Sequence, residues 1–325
     1  MTILQSFRRW LGWLFDSALP EVAPEAPRAR LSVVVGMLAL VAALVLIRYR
    51  LGVLPEDRWY AAYLAVGYVS CFGLLAAGHG GAWLGRIQRK SWAILAIGAT
   101  TFCAFWYFGR IDSYWRWWSD FTDTSHPLAP LVPFFYFSGA SALFRLALPF
   151  AIAYRWLGLS PAQLGLPLPW RGPKSPPLAP LYLLLFLGVL PFVVYAAGTP
   201  AFLAKYPLCR DILTADRSVQ LDHLLLYQAA YVMVFVAGEA FWRGFLVFGT
   251  VRDFGAYAIP LMVLPYTLAH FGKPLPETLG SIAAGSVLAW LALKHRSVWL
   301  GVALHYAVAL TMDLLAIRAA GIVVR

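Results

Sequence analysis

The sequence predicts an all-α, polytopic integral membrane protein with about eight to nine transmembrane helices. Three observations carry that prediction. Of 325 residues, 61% are hydrophobic and only 13% are charged, with a mean hydropathy of +0.70; a soluble domain carries about 25% charged residues. The apolar runs are roughly 18–25 residues long, the length a helix needs to cross about 30 Å of hydrocarbon. Apolar–polar alternation of the outer-membrane barrel kind is absent, so helices remain the way to satisfy the backbone inside lipid.

Taken in order, Met1 to Leu19 sets Arg8 and Arg9 beside Trp10, Trp13, Leu14 and Phe15. That composition suits an amphipathic helix lying on a membrane surface, or a cytoplasmic tail without fixed structure. Pro20 to Arg30 reads as a linker. The spans expected next run from about 31 to 46, 59 to 78, 91 to 108 and 131 to 154. Arg145 falls near the middle of the fourth and requires a partner or a wet cavity. Between the third and fourth spans, Trp115, Trp117 and Trp118 are mixed with Asp112, Asp120 and Asp123, as in an interfacial loop or the shield of a cavity mouth. Further spans are expected at about 178–197, 223–248, 256–271, 279–293 and 299–317. The chain thus divides into an amphipathic helix and linker (1–30), N-terminal transmembrane helices (31–221), a C-terminal transmembrane core (222–317) and a short tail (318–325).

The formal net charge is +11. Its basic residues lie in short segments between apolar runs, which fits contact with anionic headgroups and gives no reason to expect nucleic acid. Lys and Arg are more numerous on the N-terminal side of the alternating spans, so the N-terminus is expected in the cytoplasm. Cys71, Cys103 and Cys209 are scattered without C-x-x-C spacing, which supports neither a disulfide framework nor a thiolate metal site.

Chemistry-bearing residues concentrate between Gly238 and His305. Glu239 and Arg243 are four apart inside an apolar run, so they share a helix face and can pair. A structural ion pair accounts for Arg243; the carboxylate keeps lone pairs to orient a water or accept from an imidazole. His270 and His305 lie on later helices, where each alone reads as a hydrogen-bonded core residue. Together with Glu239 they are the material for activating a water or stabilising an oxyanion. The same three side chains are a possible divalent-metal set, although no H-E-x-x-H motif is present and no cofactor is expected. Asp313 lies two turns beyond His305 and is expected to pair with Arg318 or with headgroups. Gly280 and Gly285, around Ala283 and Ala284, give the eighth span a small-residue surface for close packing. No internal repeat is visible, which disfavours an inverted-repeat transporter.

Three motifs in this order resemble the CPBP intramembrane proteases, which include the CAAX-prenyl endopeptidases and bacteriocin-processing or immunity proteins. Gly238-Glu239-Ala-Phe-Trp-Arg243 resembles the family's Glu-Glu-x-x-x-Arg, Tyr266-x-x-x-His270 its Phe-x-x-x-His, and His305-x-x-x-Ala309 its His-x-x-x-Asn/Asp. The resemblance covers about residues 222–317. It implies a polar cavity inside a helical membrane fold, and an endopeptidase of glutamate type whose partners are a membrane-anchored peptide or protein and the bilayer, expected in a bacterial inner membrane. It implies Glu239, His270, His305 and Arg243 as the catalytic set: Glu239 and His270 activating water, Arg243 supporting Glu239, and His305 helping at the oxyanion. Two positions depart from the pattern. Gly238 stands where the family's water-activating glutamate is expected, and Ala309 where a polar partner is. The alternative is therefore a catalytically impaired scaffold or immunity-like binding protein of the same fold.

Overall fold

The computed structural model describes residue 26, residues 28–169 and residues 178–325. The surface helix expected at Met1 to Leu19 and most of the linker after it lie outside the described residues. The rest is helical, with one short strand pair. Helices α1 (Leu31–Leu51), α2 (Tyr60–His79) and α3 (Arg89–Phe108) are followed by α4 (Ala129–Leu157) and α5 (Leu178–Ala197). The C-terminal core contains α6 (Leu221–Glu239), α7 (Ala258–Leu268), α8 (Leu275–His295) and α9 (Trp299–Ala319). Among the described residues, eight stretches are long and apolar enough to cross a membrane, with Leu221–Leu268 counted as one.

That long stretch is not one rod. Gly255 has φ 55 and ψ −138, a conformation a side chain disfavours, and it breaks the chain between α6 with its extension and α7. Helix α7 has 11 residues, about 16 Å at 1.5 Å per residue, and every one is buried. The seventh span expected at 256–271 is thus a short buried helix rather than a full crossing. His270 stands in the turn after it.

Two helices change their winding beside each other. In α4 the segment Ala142–Ala147 is π-helical, and in the continuation of α6 so is Ala240–Phe248. The two segments are in contact. Arg145 lies in the first and Arg243 in the second. Such local widening inserts extra backbone per turn and re-aims the side chains that follow, which is why π segments collect at functional positions.

Small residues let the core close. A Cβ on Gly285 would come 2.8 Å from the Tyr266 ring, so the glycine allows α8 to press against α7. A Cβ on Gly280 would meet nothing within 4 Å, so of the two glycines only Gly285 is required by close packing. At one end of the bundle Asp57 accepts from Arg48 at 2.8 Å and pairs with Arg110, tying the α1–α2 connection to the start of the α3–α4 loop. The three tryptophans of that loop are exposed, as an interfacial role requires.

The connection between α5 and α6 folds back over the bundle. Tyr206 donates to Glu277 Oε1 at 2.8 Å, and the Leu208 backbone N–H donates to Asp313 Oδ1 at 3.3 Å. Asp313 is fully buried and also accepts from Tyr227 and from Gln228 at 3.0 Å. The expected partnership with Arg318 or headgroups is therefore corrected: Asp313 is the internal anchor of the α5–α6 connection. The tail is also tied down, because Ser218–Val219 and Val323–Val324 form a two-residue parallel pair.

Candidate active site

Helices α3, α4, α6, α7 and α9 surround a cavity of about 350 Å³. Glu239, His270 and His305 all line it, as do Gly238 and Arg145. Three separated stretches of sequence therefore meet in one place. The α5–α6 connection supplies part of the rim through Lys205 and Arg210, and the α3–α4 loop supplies Arg110 and Asp112. The exposed tryptophans do not line it.

Glu239 is the last α-helical residue before the π segment and is 1% exposed. Its Oε1 accepts from Arg243 Nη1 at 2.8 Å and from His305 Nδ1 at 2.9 Å. Its Oε2 has no hydrogen-bond partner among the described residues. That oxygen sits 2.7 Å from where a Cβ on Gly301 would be. Gly301 is one turn before His305 on α9, so the helix that brings the imidazole also clears space for the carboxylate.

Arg243 is completely buried, its guanidinium 4.5 Å from the centre of the Tyr266 ring. Tyr266 is the shared wall of the site: its ring lies 4.8 Å from that of His270 and 6.4 Å from that of His305. The last turn of α7 sets His270. The His270 backbone N–H bonds to Thr267 O at 3.0 Å, leaving the Tyr266 carbonyl to accept from His270 Nδ1 at 2.8 Å. This uses one orphan carbonyl of a helix end to hold a ring. In both histidines Nδ1 donates to an oxygen, so Nε2 carries the lone pair.

Position 238 was empty of side chain in the sequence, but its space is filled. Arg145 reaches across from α4, and its Nη2 is so close to Gly238 that a Cβ there would overlap it. Ala309 is buried in an apolar cluster with Tyr227, Phe235 and Val302 and does not line the cavity. Lys205 is half-buried at the rim. Burial, with Lys273 and Arg110 nearby, holds its ammonium below the ordinary lysine range.

Residues 220–311 match the family model described as Rce1-like, type II CAAX prenyl endopeptidase Rce1-like. The match supports a CPBP-type membrane protease domain over these residues. It spans Glu239, Arg243, His270 and His305. No curated protein and no solved structure matched the chain. Within the CPBP-type domain, the carboxylate hydrogen-bonds to His305, whereas the motif reading coupled it to His270. Among the described residues, no three His, Cys, Asp or Glu side chains are placed to hold a metal ion. The set Glu239, His270 and His305 converges on the cavity, but Glu239 Oε1 is already shared by Arg243 and His305.

Sequence reasoning missed Gly301. The signal was available, because Gly301 and His305 are four apart on one helix face. Gly301→Ala is expected to lower stability by about 1–3 kcal/mol, since Glu239 Oε1 is held by two donors and Oε2 cannot retreat. Thermal unfolding of the purified protein measures this, and an unchanged melting temperature would show that the carboxylate is free to move.

Proposed function

We propose that the chain is an intramembrane endopeptidase of glutamate type that hydrolyses a membrane-anchored peptide or protein. The observation that carries this is the Glu239 Oε1–His305 Nδ1 hydrogen bond of 2.9 Å at the wall of a cavity that also receives His270. A carboxylate holding Nδ1–H fixes the tautomer and leaves Nε2 to accept a proton, the logic of hydrolytic histidines generally. His305 Nε2 takes one proton from a water while His270 Nε2 accepts a hydrogen bond from the other. The hydroxide attacks the peptide carbonyl, the C–N bond breaks, and the proton on His305 passes to the leaving amine. Arg243 keeps Glu239 ionised in a buried setting. On this reading the N-terminus faces the cytoplasm, which rests on the distribution of Lys and Arg alone.

The test is cleavage of a library of lipid-anchored peptides by the reconstituted full-length chain, read by mass spectrometry. Cleavage is expected to vanish in His270→Ala and to survive EDTA and phenanthroline. Activity unaffected by His270→Ala would remove His270 from the reaction. Inhibition by chelators would assign a divalent metal to Glu239, His270 and His305. Absence of cleavage across the library, with peptide binding retained, would favour the non-cleaving scaffold.

A further inference from the structure

The proposed hydrolysis leaves one charge without a partner. When hydroxide adds to the peptide carbon, the C=O π pair moves onto oxygen and an oxyanion forms. Both imidazoles are already committed. Nδ1 of each donates to a fixed oxygen, so Nε2 of each begins as an acceptor. The proton that His305 then acquires goes to the leaving amine. Gly238 has no side chain, and Ala309 does not line the cavity, so neither supplies a donor.

Tyr266 lines the cavity, and among the described residues its ring alone meets both histidines, at 4.8 Å from His270 and 6.4 Å from His305. A phenol, with an ordinary pKa of about 10, brings an O–H at neutral pH. Among the described residues no hydrogen bond of ordinary geometry reaches that oxygen, although the Arg243 guanidinium lies beside the ring. The Tyr68 hydroxyl is sealed off without a partner; that of Tyr266 keeps contact with the cavity. The ring is also held on several sides. Arg243 covers one face at 4.5 Å, and Trp242 meets it edge-on with centroids 5.6 Å apart. From α8, a Cβ on Gly285 would come 2.8 Å from it, so that wall is closed as well. A donor fixed in this way needs no reorganisation when charge develops, which is the source of large oxyanion effects. The Tyr266 carbonyl holds His270 Nδ1, so one residue orients the imidazole through its backbone and offers its side chain to the same space. Two other donors fit less well. Tyr231 stands eight residues before Glu239, about 12 Å along α6. Arg145 is anchored by Ser141 beside Gly238, against Phe105 and Trp242.

We infer that the Tyr266 hydroxyl is the oxyanion donor of this site. The inference rests on the peptidase reading, because it assigns the group that stabilises that reaction's intermediate. The phenol gives a hydrogen bond and keeps its proton. When the intermediate collapses, the pair on oxygen re-forms C=O, the C–N bond breaks, and the proton on His305 passes to nitrogen. Phenylalanine occupies this place in the motif that the segment resembles, so the oxygen is particular to this chain.

The experiment uses the purified full-length chain in detergent. Its probes are the lipid-anchored peptide of the library that the wild type cleaves fastest and the phosphinate isostere of that peptide, in which a tetrahedral P–O⁻ replaces the scissile carbonyl. Initial rates give kcat and KM, and competition gives the phosphinate Ki. Tyr266→Phe removes the oxygen alone. It is expected to lower kcat by about 10²–10³-fold with KM within about twofold, as for loss of one oxyanion donor. The phosphinate is expected to bind more weakly by a comparable factor, because it resembles the transition state and the peptide does not. A role in packing alone would move KM and the melting temperature instead, and that result overturns the inference. Gly285→Ala keeps the oxygen but pushes the ring by its edge, and it is expected to lower kcat and phosphinate affinity together. This variant decides the matter if Tyr266→Phe fails to fold. An unchanged kcat in Tyr266→Phe overturns the inference and leaves the peptidase reading intact. So does a loss of phosphinate affinity confined to Arg145→Gln, which gives the oxyanion to the guanidinium. Cleavage of no peptide in the library by the wild type removes the reaction, and the oxyanion with it.

Discussion

Glu239→Gln is expected to lower peptide hydrolysis by about 10³–10⁴-fold, and His305→Ala by a comparable factor. Glutamine keeps the shape of the side chain but loses the charge that fixes the His305 tautomer through the 2.9 Å bond. An amide can present N–H as readily as oxygen to Nδ1, and His305 then turns its lone pair away from the water. Because carboxylate and imidazole act as one unit, the effects should not add. The double variant Glu239→Gln with His305→Ala is expected to be about as slow as either single one. Initial rates on a lipid-anchored peptide cleaved by the wild type measure all three. Multiplying losses would show that the two residues serve separate steps, and full activity in Glu239→Gln would refute the mechanism.

The second large effect concerns stability. Arg243→Met is expected to destabilise the fold by about 3–5 kcal/mol, because it leaves the carboxylate of Glu239 buried without its cation. The loss should be larger than the size of the contact suggests, since both side chains are inaccessible to water. Replacing the pair together, with Glu239→Leu and Arg243→Met, is expected to recover most of the melting temperature while activity stays absent. Buried pairs often cost as much in desolvation as they return in attraction, so a hydrophobic replacement of similar volume is tolerated. Thermal unfolding in detergent compares the three proteins. A single variant as stable as the wild type would mean that the segment following α6 is ordered by packing alone.

Much of the fold was legible because hydrocarbon imposes a length. The run Leu178–Ala197 was bounded by polar sequence on both sides, and its helix has the expected limits. The seventh span was misread for a local reason: hydropathy alone does not register that Gly255 turns the chain back, leaving only 11 residues of helix. The four motif residues were legible from order and spacing. Their pairing was not, because spacing along α6 says nothing about which face of α9 arrives. That is set by the π winding after Glu239 and by the missing side chain at Gly301. Asp313 was misjudged because a carboxylate near the end of a last span normally meets water. Here a connection more than 90 residues earlier returns to bond it through Leu208, at a separation of 105 residues. Arg145 was flagged as needing a partner or a wet cavity, but nothing in the linear order links it to Gly238.

The overlap of Arg145 with position 238 also constrains which sequences this protein can reach. A glutamate at 238 requires the guanidinium to shift, and removing the guanidinium alone enlarges the cavity beside Phe105 and Trp242. The two positions share one space, so substitutions at them are expected to be non-additive. A library that varies residues 145 and 238 together samples viable neighbours that saturation of either position alone never contains.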